Sequence, residues 1–503
     1  MNRYLAVLIF CAFALIMTSC AARGSADDLS APSSAYVAVS SESETATEDN
    51  AETEESKTES DTGVTELSEE PAYSCPEEES EEEYEGISDE ESEESAEQSE
   101  ESAEQYESAY INVDKGVSYL SADVFSSSRI VSEVSEQFKD HYLSFAVSLL
   151  QKCANGKSAF ISPLSALTAL QMAANGARGE TAEEMQKTLG GALSTDTLNQ
   201  ELFNYYESLR NTANASLKYA NSIWMTDNEH FKVNKRFVDI INDTFRAALV
   251  CAPLAEDSTT DAINDWCGKN TDGMIPKLLE YGDLDPNTVM VLLNSLTFDG
   301  LWGIPFSDNK CSNGTFHGET RDTTVKMMTN EEYGYICGEH ETGFVKKYEG
   351  RTYSFVAILP EEGISMEEYL ASLDGEKLAA LLDYNHETVV IGIPEFTFDW
   401  SASLSGALQE MGIKQAFLPT ADFSGLGVMD DGENIFLEKV YQKTHIEIDQ
   451  SGTRAAAVTA IAATTEGDSD PIYTVILDRP FVYAIVDTQN LLPVFIGCVT
   501  DIG

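Results

Sequence analysis

Residues 449–465 read Asp449-Gln450-Ser451-Gly452-Thr453-Arg454-Ala455-Ala456-Ala457-Val458-Thr459-Ala460-Ile461-Ala462-Ala463-Thr464-Thr465, a run of small side chains between two strand-like segments near the carboxyl end. Side chains of a strand alternate between its two faces, so Thr453, Ala455, Ala457, Thr459 and Ile461 share one face if the run becomes a strand. That face is small enough to slide into an existing sheet. Arg454, the one charge after Gly452, falls on the opposite face, where it stays in water.

The sequence on the amino-terminal side of this run changes character along its length. In residues 134–153 the apolar Phe138, Tyr142, Phe145 and Leu149 recur every three or four positions, which predicts an amphipathic opening helix. A short strand at 159–162 is stopped by Pro163. Residues 164–175 read as a largely buried helix, and another begins near residue 179 with Thr181 as its cap. Strand signals then dominate at 289–298, 354–359, 388–398, 435–448, 472–477, 481–486 and 494–499. Helices first and strands later predict an α+β domain with a large, mainly antiparallel sheet.

Several separated motifs agree on a family. Ser158-Ala159-Phe160-Ile161-Ser162-Pro163-Leu164-Ser165 comes first. Asn294-Ser295-Leu296-Thr297-Phe298-Asp299-Gly300-Leu301-Trp302 follows, with Pro305-Phe306, Thr315-Phe316-His317 and Val325-Lys326-Met327-Met328 after it. Ile393-Pro394-Glu395-Phe396, Leu404, Leu408, Met411-Gly412, Ala421-Asp422-Phe423-Ser424 and Asp478-Arg479-Pro480-Phe481-Val482 complete the series. From about residue 130 to its end the chain resembles a serpin, a member of the serine protease inhibitor superfamily.

The resemblance implies a fold and a mechanism. The helical part packs on a large central sheet, and residues 450–474 form a mobile bait loop. A serine or cysteine endopeptidase cuts the loop and is held as an acyl-enzyme while the severed part inserts into the sheet. Loop insertion is a known switching mode of this family, so it is implied by the likeness rather than by spacing. It requires a starting fold held by a kinetic barrier. The hinge would comprise Gly452, Thr453, Arg454, Ala455, Ala456, Ala457 and Val458, with Gly452 turning the backbone free of a Cβ clash. Ser162, Ser165, Asn294, Trp302 and Gln442 would line the region where the sheet opens. Two residues depart from the family pattern: Gln442 stands where a histidine is common, and Arg454 where Glu is usual. An amide keeps hydrogen bonding at 442 but not a pH effect.

Counting along the loop sets Glu466 before the scissile bond and Gly467 after it. The far side of the loop is about three residues long for the family, so the cut region is Ala463, Thr464, Thr465, Glu466 and Gly467. Small residues there favour elastase-like or subtilisin-like targets, whereas a cut after Glu466 needs a basic pocket. The competing reading is a serpin-fold surface protein that binds a partner without inhibiting.

Enzyme chemistry has little support. His141, His230, His317, His340, His386 and His445 form no His-Glu-x-x-His motif, and no Gly-x-Ser-x-Gly elbow, phosphate loop or dinucleotide fingerprint occurs. His317 reads as a packing residue. The pair Asp430 and Asp431 reads as solvated, and no metal or cofactor is expected.

The amino end carries address information. Arg3 precedes an apolar run at 5–17 that is about 13 residues long, short of the roughly 20 that span a bilayer. Met17-Thr18-Ser19-Cys20 resembles a bacterial lipobox, so residues 1–20 read as a lipoprotein signal with Cys20 lipidated. An ordinary cleaved signal is the alternative. Residues 21–110 hold 31 Asp or Glu against Arg23 and Lys57, about half of the net charge of −57. Such a stretch lacks the apolar surface to offset chain entropy. Residues 21–125 therefore read as an acidic tether, with the folded domain at 126–503. A coil of about 90 residues spans roughly 50 Å. Its charge disfavours a nucleic-acid partner. The expected partners are target proteases and, through the lipid, a membrane; the expected state is an extracellular, surface-anchored monomer. Of nine cysteines, seven remain after Cys11 and Cys20, with no Cys-x-x-Cys pair. Cys153, Cys251 and Cys498 read as buried thiols, and Cys75 as an exposed one in the tether.

Overall fold

The computed structural model describes residues 110–113, 115–120, 129–210, 216–284, 288–438, 440–453 and 473–503. It begins with two short strands, β1 (Tyr110–Asn112) and β2 (Ser118–Tyr119). Both fall inside the stretch read as tether, so a domain start at residue 126 is too late. β1 pairs with β5 (Phe231–Asn234), and β2 pairs with β6 (Ala248–Ala252). Each supplies backbone partners to a strand edge that would otherwise stay open. The signal segment with Cys20, the acidic stretch and Cys75 lie outside the described residues.

Helix α1 (Glu136–Ala154) realises the apolar spacing, with Phe138, Tyr142, Phe145 and Leu149 all buried. The Ser135 hydroxyl accepts from the Phe138 amide at 3.2 Å, closing one of the donors that a helix start leaves unpaired. After β3 (Ala159–Ile161), Ser162 caps α2 (Pro163–Ala174), whose proline stands where its missing N–H costs nothing. Every residue of α2 is buried, because it packs on strands of both large sheets. Helices α3 (Gly179–Leu189) and α4 (Thr195–Arg210) cover its outer side. Thr181 does not cap α3: it is buried in the first turn, and its hydroxyl accepts from the Asp422 amide at 2.9 Å.

Three sheets follow. A small one joins β1, β5 and β14 (Gly427–Met429). The central, seven-stranded sheet runs β13 (Phe396–Ser403), β15 (Tyr441–Ile448), β16 (Gly452–Thr453), β7 (Met290–Leu301), β4 (Ser216–Thr226), β6, β2. The nine-stranded sheet runs β17 (Tyr473–Ile476), β12 (Asn385–Pro394), β9 (Asp322–Cys337), β10 (Glu341–Lys347), β11 (Tyr353–Pro360), β18 (Phe481–Asp487), β19 (Leu492–Val499), β3, with β8 (Cys311–His317) also on β9. Pairing is antiparallel except at β4–β6 and β12–β17. The α+β expectation with a mainly antiparallel central sheet stands.

Helix α5 (Lys235–Ile240) continues as a π-helical turn before β6. The central sheet is covered on both faces. α2 lies on the inner one, while α6 (Asp257–Asn270) closes a second core of Trp224, Val250, Ile263, Leu279, Val291 and Leu293 on the outer one. Helices α7 (Met366–Ser372) and α8 (Gly375–Leu382) belong to the side of the nine-stranded sheet, and α9 (Ser405–Met411) follows β13. α8 lies tight on α1, where a Cβ on Gly375 would stand 2.4 Å from the Ser144 hydroxyl.

Two strand expectations need correction. The run 388–398 is two strands in different sheets, because the chain crosses over at Glu395, whose amide bonds to the Lys326 carbonyl at 2.8 Å. In the run 435–448 only Tyr441–Ile448 is strand; Ile435 and Leu437 are buried as a plug, with the Leu437 amide on the Ala416 carbonyl. Cys251 and Cys498 are buried as expected, whereas Cys153 is half-buried; desolvation pushes all three thiols up to about 12.

Phe160 of β3 is stacked between Tyr483 and Phe495, with centroids 5.5 and 5.1 Å away. Phe160→Ala removes both stacks and leaves a cavity, so a loss of about 3–5 kcal/mol is expected, read as a lowered melting temperature.

Candidate functional site at the seam of the central sheet

Strand β7 has β4 on one edge along residues 290–299. On its other edge, among the described residues, it pairs only with Gly452 and Thr453 and through a parallel bridge from Leu292 to Val440. β15 is likewise paired to β13 on one side and to β16 only at Ile448–Thr453 on the other. The two strands are therefore joined at the ends of a seam whose middle has no regular ladder.

The amino-terminal end of the small-residue run lies at the top of this seam. Gly452 pairs with Leu301 and Thr453 with Gly300, antiparallel to β7. Gly452 is needed here for close approach, not for a turn: a Cβ at that position would stand 2.2 Å from the Gly300 carbonyl oxygen. Thr453 is buried, with 2 % exposed, and its hydroxyl meets the Tyr348 hydroxyl at 2.5 Å. Thr453 is the first residue of the face expected to turn inward; the others lie outside the described residues. The loop 450–474 is shorter than expected at both ends, since 452–453 and 473–474 are in strands.

A cradle holds the approach to this point. The Asp449 carboxylate accepts from the amides of Ser451 and Gly452 at 2.7 and 2.9 Å, bending the chain into the seam. Trp302, just beyond β7, donates its indole N–H to the Asp449 carbonyl at 2.9 Å and its amide to the Ser451 carbonyl at 2.9 Å. The Phe306 amide donates to the Gln450 carbonyl at 3.0 Å. Trp302 in turn stacks on Tyr348, centroids 4.7 Å apart. The Lys326 ammonium bridges Glu395 and the Gln450 amide oxygen, each at 2.7 Å.

Lower in the seam, Gln442 of β15 brackets Ser162. Its amide oxygen accepts from the Ser162 N–H at 3.0 Å, and its Nε2 donates to the Ser162 carbonyl at 2.9 Å. The Ser162 hydroxyl donates to the Val494 carbonyl of β19 at 2.9 Å and accepts from the Ser165 amide at 3.1 Å. Gln442 thus ties β15 to the start of α2 and, through Ser162, to the other sheet. The neighbouring Thr444 hydroxyl donates to the Phe160 carbonyl, a partner the sequence reading missed. Asn294 of β7 donates to the Asn221 side chain on β4, away from the Gln442 cluster.

Residues 454–472, and with them Arg454, Ala455, Ala456, Ala457, Val458, Ala463, Thr464, Thr465, Glu466 and Gly467, lie outside the described residues. The histidines are dispersed. His317 is not a packing residue: it is exposed and meets Asp322 at 3.0 Å. Asp430 is not merely solvated, since Lys232 and His230 hold its carboxyl below the usual range. Among the described residues no group of three or more His, Cys, Asp or Glu could hold a metal ion.

The class is an α+β protein whose central sheet carries Gly452 and Thr453 as a short strand between β15 and β7. The model of the serpin (serine protease inhibitor) family matches residues 140–502. An uncharacterized serpin-like protein of Thermococcus kodakarensis is 30% identical over 363 residues, 70% of this chain and 83% of that protein. The leukocyte elastase inhibitor of Sus scrofa is 30% identical over 391 residues, 72% of this chain and 98% of that protein. The solved structure of the thermophilic serpin tengpin in the native state has a TM-score of 0.72 at 36% identity, covering 77% of this chain and 100% of that one. Its latent state scores 0.66. The chain belongs to the serpin family. That places it with protease inhibitors rather than enzymes.

Gln442→Ala deletes both bonds to buried Ser162 and leaves its N–H and carbonyl unmatched. A loss of about 2–4 kcal/mol is expected, measured by thermal or denaturant unfolding.

Proposed function

We propose that this serpin is a suicide-substrate inhibitor of serine endopeptidases, elastase-like or subtilisin-like, that works by loop cleavage, acyl-enzyme trapping and insertion of the cut loop between β7 and β15. The observation that carries this reading is the seating of Gly452 and Thr453 at the top of a seam whose middle has no regular ladder among the described residues.

Continuing the register Thr453–Gly300 sets Ala455 beside Phe298, Ala457 beside Leu296 and Thr459 beside Asn294 in the inserted product. No bulky, charged or proline residue stands on that face to block the strand. The same register sets Arg454 between Asp299 of β7 and Glu447 of β15, because Ile448 already pairs with Thr453. This accounts for an arginine where the family commonly has Glu: acids on both flanking strands complement it. The gain on insertion is a set of ladder hydrogen bonds, each worth about 0.5–1.5 kcal/mol net, plus burial of small apolar groups.

The cut falls in Ala463–Gly467, and small residues there suit small-pocket proteases. The resemblance of the Sus scrofa relative, named a leukocyte elastase inhibitor, supports the same target class. Residues 1–20 export the chain, Cys20 carries the lipid, and the acidic stretch holds the inhibitor, as a monomer, away from the cell surface on a flexible leash.

A panel of elastase, subtilisin, trypsin, a glutamyl endopeptidase and papain, followed by denaturing gels and intact mass, tests this. The expected result is a denaturant-stable adduct with elastase or subtilisin and release of a carboxyl peptide starting within 464–467. Digestion without any adduct supports the non-inhibitory binding reading instead. Thr453→Arg forces a charge into the inner face, so conversion from inhibitor to substrate is expected, with the stoichiometry of inhibition rising at least about tenfold. Arg454→Glu sets three acids in a row across the inserted sheet, and a smaller rise in the same ratio is expected.

A further inference from the structure

Lys346 of β10 is wholly buried, a rare place for an ammonium group. Its Nζ donates to the Glu332 carboxylate of β9 and, at 2.8 Å, to the carbonyl of Ile304. It lies 4.5 Å from the centroid of the Phe306 ring and 5.3 Å from that of Trp302. The Glu332 side chain is only 11% exposed. Desolvation lowers the lysine pKa and raises that of the glutamate, and their mutual attraction opposes both shifts. A buried ion pair is weak support for stability, since two apolar groups of similar volume often serve as well or better. Its value lies in what it holds in place.

It holds the turn 302–306. The amides of Trp302 and Phe306 donate to the carbonyls of Ser451 and Gln450, the residues that lead into β16. On the other side of the same turn, the Gly303 amide donates to the Lys347 carbonyl, and the Ile304 carbonyl accepts from Lys346. The turn is therefore gripped from one side by the nine-stranded sheet and grips the hinge with the other. Trp302 completes the path: it stacks on Tyr348, whose hydroxyl meets Thr453.

We propose that Lys346, oriented by Glu332, is a positioning residue for loop insertion, fixing the turn 302–306 in the geometry that keeps Gly452 and Thr453 seated between β15 and β7. Its effect on inhibition rests on the inhibitory reading above; its effect on hinge seating does not. Loss of the grip frees the turn, empties the seat more often and slows the first step of insertion. The trapped acyl-enzyme then hydrolyses more often before the protease is displaced.

The Lys346→Met, Glu332→Gln double variant removes both charges at nearly constant volume. The expected result is a melting temperature equal to or above that of the unaltered protein and an unchanged association rate with pancreatic elastase or subtilisin. The stoichiometry of inhibition rises about threefold, and amide exchange across residues 449–453 quickens without protease. Phe306→Leu, which keeps the ion pair and removes one ring, gives the same pattern more weakly and guards against failure of the double variant to fold. Unchanged exchange at 449–453 overturns the proposal. So does a lowered melting temperature with unchanged stoichiometry, which assigns the pair a purely structural role. If the unaltered protein forms no adduct, the inhibitory reading fails, and exchange alone decides the positioning role.

Discussion

The ladder between β7 and β15, incomplete among the described residues, is the constraint on which the rest depends. Backbone N–H and C=O groups inside a protein need partners, and a sheet with a seam through its centre keeps some of that demand in reserve. The seam is closed below by the Leu292–Val440 bridge and above by two residues of the protein's own loop. The chain enters this seam at Gly452 and Thr453, where it pairs with both flanking strands.

The buried polar groups around the seam act as ties between layers. Gln442 binds β15 to Ser162 at the start of α2, and Ser162 reaches β19 of the other sheet. Trp302 binds the end of β7 to residues 449–451. Parting β7 from β15 strains these ties in turn, which makes separation cooperative rather than a local fraying.

The candidate site was partly legible before any coordinates. The period-two pattern of small residues puts Thr453 on one face, and Thr453 is buried. Motif likeness singles out Ser162, Trp302 and Gln442 but says nothing of what each touches. Errors fell where local signals compete. Thr181 has cap chemistry but sits in a buried first turn, and Ile435 and Leu437 have strand composition but serve as a plug. The acidic composition that marks the tether ends at Glu107, and no local signal marks Tyr110, whose strand pairing depends on an edge more than a hundred residues away. Lys346 and Glu332 gave no signal at all, since a lysine and a glutamate separated by a strand turn read as ordinary surface charges.

Sequence alone determined the class of the fold, the small and uncharged inner face of the loop, and the family. These depend on local periodicity and on motifs that are contiguous in the chain. Tertiary structure decided the register of Thr453 on Gly300, the close approach that makes Gly452 necessary, and the burial of Lys346 beside the Trp302 turn. Each of these sets side chains or backbones from different strands within a few ångströms of one another, and strand order and register are global outcomes of packing that no local pattern encodes.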